Sequence, residues 1–459
     1  MVFSSVLFLF YFMPVAFGVY YLTPRRFKNL ALLILSLVFY SWGEVRYFPI
    51  MLASIIVDYL ASNGIERNEG NAKKKKLWLS LSVVFNLGML GFFKYSGFVI
   101  SNINAITGLS LPSLELTLPL GISFYTFQTM SYTIDVYRGE VEAEHDIIDF
   151  GAFVVLFPQL IAGPIVRYRD IQRELRERRM DIGQISSGAK YFILGLASKV
   201  LIANNVGALW TEIEQMGFAG ISSPLAWLAI LAYTLQIYFD FSGYSLMAIG
   251  LGRMLGFEFP KNFDFPYISK SMTEFWRRWH MTLGSWFKSY LYFPLGGSRC
   301  SKRRNYFNLF VVWAATGLWH GASWNFVIWG LYFFVLLMLE KGVILKFLNA
   351  HPVISRIYMI PLIMISWAIF ALTDFSQMGL FFSRLFAFDM SGDWLYFLQN
   401  YGITFLLGIL FATPALKKPF EKLDERCQWA SSVIYAVLLV FSVAYLVDAT
   451  YNPFLYFRF

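Results

Sequence analysis

The first residue to explain is a histidine. Four of the 459 residues are His, and His320 is the only group able to carry charge near neutral pH in the 35 residues from Asn305 to Leu339. In so apolar a stretch desolvation favours the neutral imidazole, which can accept a proton from an attacking hydroxyl. Trp313, Gly317 and His320 fall on one helical face, and Gly317 with Gly321 makes a G-x-x-x-G pair that admits a second backbone. A histidine so placed is either a satisfied core residue or a catalytic base, and spacing alone leaves both open.

A second constellation lies in Ser271–Phe287, SMTEFWRRWHMTLGSWF. Ser271 and Glu274 form an S-x-x-E capping box that opens a helix, and Glu274 can pair with Arg278 one turn on. Helical spacing predicts that Trp276, Arg277 and His280 line one side, as a charged and aromatic wall for an anionic substrate. The alternative is an interfacial helix with Trp anchors and snorkelling arginines. Two polar stripes interrupt apolar segments: Gln128, Tyr132 and Asp135, and Tyr233, Gln236, Asp240 and Tyr244. They can line a substrate path or simply hydrogen-bond between helices. Lys288, Arg299, Lys302, Arg303 and Arg304 flank the Pro294–Gly297 turn. They suit anionic lipid or the phosphates of a donor such as coenzyme A. His145 and His351 sit in solvated, loop-like sequence.

The elements that must position these groups follow from composition. Apolar residues make up 57% of the chain, charged residues 15% and aromatics 19%, and the mean hydropathy is positive. A water-soluble chain of this length needs more charge on its surface, so this is an integral membrane protein, all-α. Stretches free of strong charge supply the spans: Met1–Pro24, Asn29–Gly43, Tyr47–Val57 running on through Asp58, Leu77–Phe93, Leu116–Ile134 and Phe150–Val166. Later come Tyr191–Trp210, Met216–Gly252, Ile357–Thr373, Leu395–Leu416 and Gln428–Val447, with Asn305–Leu339 split in two. The expected architecture is one polytopic helical bundle over residues 1–459, with about 11 spans, one or two of them re-entrant.

Lys199 and Asp240 interrupt two of these spans. The segment Arg167–Asp181, with six Arg and four acids around Ile171, Leu175 and Met180, reads as an interfacial amphipathic helix. Lys261–Arg304 is too charged to be a lipid-facing span. Basic residues at Arg25, Arg26 and Lys28, then at Lys73–Lys76, place those loops inside and the N-terminus outside. Met1–Pro24 lacks the basic start and small-residue cleavage site of a signal peptide and is kept as a first span. The net charge of +9 is accounted for by these loops, and no basic-aromatic module remains for nucleic acid. Cys300 and Cys427 read as free thiols, and no metal-ligand spacing occurs.

Several strings together resemble the membrane-bound O-acyltransferases. They are GISFYTFQTMSYTIDVYRG from Gly121, FPQLIAGPIVR from Phe157, YFDFSGYS from Tyr238, PYISKSMTEFWRRWHMTL from Pro266, YLYFPLGGSR from Tyr290 and GLWHGASWNFVIWG from Gly317, with the opening MVFSSVLFLF. The likeness covers nearly the whole chain and is strongest in a core from residue 121 to 330. It implies a bundle with a central funnel or tunnel, to which a thioester donor comes from the cytoplasm. The family's invariant histidine corresponds to His320 and its more variable one to His280. Trp313, Trp319 and Asn325 fall in or beside the same strings and join Trp276, Arg277, Arg299, Gln128, Asp135, Gln236, Asp240 and Tyr244 as donor or substrate contacts. Two positions depart from the family: Leu246 and Ser289 stand where it carries carboxylates.

The resemblance implies an O-acyltransferase of a bacterial inner membrane that moves an acetyl group from acetyl-CoA or an acyl carrier protein, without a tightly bound cofactor. The acceptor it implies is an exported polysaccharide such as alginate, served with a periplasmic acetyltransferase partner. D-alanyl transfer to teichoic acid belongs to another branch of the family. Rivals from other classes are a transporter or flippase for a lipid-linked sugar and a non-catalytic scaffold; neither needs an acyl donor.

Overall fold

The computed structural model describes residues 1–114, 116–448 and 455, and its regular elements among these are all helices. They group into two compact units, Met1–Phe192 with Met247–Pro260 and Ile193–Leu246 with Lys261–Phe459.

The first unit contains α1 (Met13–Leu22), α2 (Lys28–Glu44), α3 (Phe48–Arg67), α4 (Ala72–Thr107), α5 (Ile122–Arg138), α6 (Ile147–Val155), α7 (Phe157–Leu160) and α8 (Tyr168–Arg176), and α9 (Ile182–Ala197) begins in it. Helix ends have local causes. The Asn71 side chain accepts the Lys74 N–H at 3.1 Å to open α4. Gly121, at φ +71°, precedes α5 where a Cβ would meet the Leu160 carbonyl oxygen at 2.5 Å, so only glycine fits.

A polar knot ties α3, α4 and α5 together. Asp58 is fully buried, and Asn86 Nδ2 donates to its two carboxylate oxygens at 3.0 and 2.8 Å. Thr133 Oγ1 donates at 3.2 Å, and Ser82 Oγ donates as well. A carboxyl group buried in hydrocarbon needs such a shell of partners. Beside Thr133 on α5, Tyr132 Oη accepts the Glu144 N–H at 2.7 Å, and Asp135 lies 3.9 Å from the Arg169 guanidinium.

The second unit holds α10 (Asn204–Met216), most of α11 (Ser223–Met254), α12 (Met272–Arg278), α13 (Met281–Phe287), α14 (Lys302–His320), α15 (Trp324–Leu339), α16 (Leu345–Ala350), α17 (Pro352–Ala371), α18 (Phe375–Leu385), α19 (Asp393–Phe411), α20 (Lys417–Arg426) and α21 (Gln428–Asp448). The two charges that interrupt apolar spans here find each other. Lys199 Nζ lies 2.5 Å from Asp240 Oδ1 with both side chains buried, and the Leu455 N–H donates to the other oxygen at 2.9 Å. Gly243, one turn on from Asp240, brings α11 against α9: a Cβ there would sit 2.7 Å from the Gly195 carbonyl oxygen.

Among the described residues, eight helical stretches are long and apolar enough to cross a bilayer. One of them, Arg25–Arg67, runs 43 residues and is broken by a tight turn at Val45–Tyr47, so it supplies two of the expected spans. A bilayer crossing needs about 20 residues. The expected Phe150–Val166 span is not one helix: it breaks at Leu156 into α6 and α7, because Pro158 has no N–H for the Val154 carbonyl four residues back and its ring would clash with it. The amphipathic segment is helical as α8, with Tyr168, Ile171 and Leu175 buried, but it stops at Arg176 and leaves Met180 outside. Cys300 and Cys427 are both free.

Candidate active site

The groups of this site all belong to the second unit. His320 is the last residue of α14, and Gly321 leaves the helix in extended conformation. The C-terminal end of a helix favours positive charge, which suits a base that becomes imidazolium during the reaction. Around the imidazole stand Trp329 at 4.9 Å, Trp319 at 5.0 Å and Phe370 at 5.3 Å between ring centroids, all edge-on. His320 is 7% exposed. An aromatic box of this kind excludes bulk water and strengthens any polar interaction formed inside it.

The box is built by close helix approach. Gly317 of α14 faces the Phe326 carbonyl oxygen and Gly330 on α15, and Gly330 in turn would place a Cβ 2.5 Å from the Trp313 carbonyl oxygen. The expected small-residue contact is therefore present, with Gly330 as the facing partner, while Gly321 makes room for the Phe326 ring. Asn325 is a positioning residue: its Nδ2 donates to the carbonyls of Ile369 at 3.2 Å and Phe370 at 3.1 Å. This caps α17 and holds the Phe370 ring against His320.

His280 departs from expectation. Ser271 Oγ does cap α12, accepting the Glu274 N–H at 3.1 Å, and Arg278 pairs with Glu274 at 2.9 Å. The helix then ends at Arg278, and His280 takes a left-handed conformation with φ +44° before α13 begins. Trp276, Arg277 and His280 do not share one helical face. Trp276 turns to Trp313 at 4.8 Å, Phe333 at 4.8 Å and Trp329 at 5.6 Å, whereas Arg277 is exposed. His280 instead meets Phe241 at 4.7 Å and Trp319 at 5.9 Å. Trp319 thus touches both histidines.

The kink is held by the loop before α12. Asp264 N–H donates to the Arg278 carbonyl and Met281 N–H to the Asn262 carbonyl, both at 2.9 Å. Asn262 Oδ1 accepts from Thr282 N–H at 3.3 Å and Thr282 Oγ1 at 2.9 Å, and faces His280 Nδ1 at 3.2 Å. A backbone donor on that oxygen fixes the amide orientation, so His280 Nδ1 carries the proton and Nε2 the lone pair. Nε2 is buried with no partner among the described residues. Complete burial pushes the imidazole pKa down to about 3, so His280 is neutral at physiological pH. Further back, buried Glu340 accepts from Met272 N–H at 2.6 Å and Thr273 N–H at 2.9 Å, which fixes the start of α12.

The remaining candidates lie elsewhere. Asp240 is engaged by Lys199, Gln236 lies over Gly207 of α10, and Tyr244 is fully buried, so this stripe makes interhelical contacts. Its helix presents Phe241 to His280 instead. Gln128 and Asp135 belong to the first unit. Arg299 and the basic residues around it are exposed. Asn262, Glu340, Trp329 and Phe370 are the residues that sequence reasoning missed. The asparagine, 18 residues before His280, carried no local signal.

The chain matches the model of the membrane-bound O-acyltransferase family over residues 138–383. It is 38% identical to the probable alginate O-acetylase of Azotobacter vinelandii, over 100% of both chains. It is 43% identical to the probable alginate O-acetylase of Pseudomonas syringae pv. tomato, over 86% of this chain and 76% of that one. To the peptidoglycan O-acetyltransferase of Helicobacter pylori it is 38% identical, over 72% of this chain and 68% of the relative. The chain belongs to the membrane-bound O-acyltransferase family, and it is a multi-pass membrane enzyme that transfers acyl groups to oxygen.

Proposed function

We propose that the protein transfers an acetyl group from a cytoplasmic thioester, acetyl-CoA or an acyl carrier protein, toward the hydroxyls of an exported polysaccharide of the alginate kind. A periplasmic acetyltransferase takes part as a separate chain, and the enzyme sits in a bacterial inner membrane with its N-terminus outside. The observation that carries this reading is His320, at a helix C-terminus inside a water-excluding aromatic box that shares Trp319 with His280. The acetylases named above supply the acceptor class.

In this mechanism His320 is the general base. A hydroxyl arriving from the outer side of a tunnel loses its proton to the imidazole as its oxygen bonds the thioester carbonyl carbon. The thiolate then departs and takes that proton back. His280 and Trp319 position the donor on the inner side, and the exposed cluster Arg299, Lys302, Arg303 and Arg304 holds its phosphates. A thioester is already activated, so the site has to supply proximity, proton transfer and a place for the oxyanion.

The test is transfer of labelled acetyl from acetyl-CoA to polymer in membrane vesicles carrying the protein and its partner. Label on the polymer that depends on the protein, competed by free coenzyme A, supports the reading. Polymer or lipid-linked sugar movement with no dependence on an acyl donor overturns it in favour of a flippase. Incorporation of D-alanine instead of acetate replaces the acyl group.

A further inference from the structure

In and beside the aromatic box, the indole donors of Trp329 and Trp276 have no acceptor among the described residues. Trp329 is fully buried, with His320 at 4.9 Å, Phe333 at 5.0 Å, Phe370 at 5.3 Å and Trp276 at 5.6 Å from its ring. The indole Nε1 of Trp329 and that of Trp276 are both buried and have no hydrogen-bond partner among the described residues. An indole N–H can only donate, and burying one unsatisfied carries its full desolvation penalty. A position that required only ring volume is served by phenylalanine, as its neighbours at 333 and 370 are. Two unsatisfied N–H groups, one on the ring that flanks the candidate base and one on a ring packed against that ring, point to an acceptor that arrives with the substrate.

The acyl thioester brings such an acceptor. We propose that Trp329 Nε1–H, with Trp276 Nε1–H as second donor, binds the carbonyl oxygen of the acyl group and stabilises the oxyanion it becomes. This rests on the assignment of His320 as base. As the acceptor hydroxyl oxygen bonds the carbonyl carbon, its proton passes to the imidazole and the carbonyl π pair moves onto oxygen, where the indole donors hold it. The pair returns as the carbon–sulfur bond breaks, and the thiolate leaves with the proton from His320. Donors already in place in a dry site need no reorganisation when the charge develops, which is where such groups lower a barrier most. The indole also discriminates between states: a neutral carbonyl is a weaker acceptor than an oxyanion, so the bond strengthens in the transition state.

The experiment replaces Trp329 in two ways, by phenylalanine and by benzothienylalanine, which keeps the bicyclic shape and substitutes sulfur for the N–H. Initial rates of acetyl transfer from acetyl-CoA to polymer are measured in vesicles against donor concentration, beside His320→Ala and the unaltered protein. The expected result is a fall in maximal rate of about 10²–10³-fold in both variants, with donor KM and melting temperature nearly unchanged for benzothienylalanine. A benzothienyl variant that melts as the unaltered protein does and turns over at its rate overturns the oxyanion role. Loss of activity in His320→Ala alongside that result leaves the base assignment standing. Full activity in His320→Ala overturns the base assignment itself.

Discussion

His280 and His320 share a tryptophan yet stand in different electrostatic settings. His320 ends a helix whose carbonyls favour an imidazolium, whereas His280 is locked by Asn262 in one tautomer and held neutral by burial. That lock has a measurable consequence. The unfolded chain takes up a proton on this histidine near pH 6.5, a typical value, while the folded protein takes it up only near 3. The unfolded state therefore binds more protons between these values, and stability falls as pH drops through that window. His280→Asn, which tolerates the left-handed backbone, should flatten the decline in melting temperature between pH 6.5 and pH 4. An unchanged slope would mean that His280 protonates in the folded state. The buried, apolar setting of His320 was legible from sequence because it stands alone in an apolar stretch. The setting of His280 was not, because no glycine or proline marks the kink and Asn262 reaches it only through a tertiary loop.

At the scale of elements, helix pairs decide where these side chains go. The α14–α15 pair closes at Gly317 and Gly330, where backbone meets backbone and no flexible side chain can yield. Gly317→Ala should lower stability by about 1–3 kcal/mol and reduce activity although no polar group is altered. Melting temperature and acetyl transfer measured together check this, and a variant normal in both contradicts the tight closure. The Lys199–Asp240 pair makes a second prediction. Removing one partner leaves a buried charge unmatched, at a cost of about 3–5 kcal/mol, whereas replacing both by apolar residues costs far less. Asp240→Leu alone should melt well below Lys199→Met/Asp240→Leu, and additive losses would argue against the pairing. The small-residue motif was legible from spacing, though its facing partner Gly330 was not. Lys199 and Asp240 were visible only as two separate interruptions, since pairing across 41 positions leaves no local pattern.

For the whole molecule, composition alone establishes a polytopic helical membrane protein, because an apolar share of 57% leaves too little charge for a soluble surface. Most spans were legible in position but not in continuity: a tight turn joins two into the run Arg25–Arg67, Pro158 splits Phe150–Val166, and Met1–Pro24 and Leu116–Ile134 fall on helices that are not among the eight stretches. In the proposed mechanism, positive-inside logic puts the exposed basic cluster at Arg299–Arg304 on the donor side. Neutralising Lys302, Arg303 and Arg304 to glutamine should raise donor KM about tenfold with maximal rate unchanged, the signature of lost uniform binding. An unchanged KM would return that cluster to a purely topological role. The proposed chemistry turns on His320. The most direct measurement is acetyl transfer to polymer by His320→Ala, with membrane insertion and melting verified, beside His280→Ala. Transfer should fall by at least about 10²–10⁴-fold in His320→Ala, and by less in His280→Ala. Transfer by inserted and folded His320→Ala at the rate of the unaltered protein would contradict it.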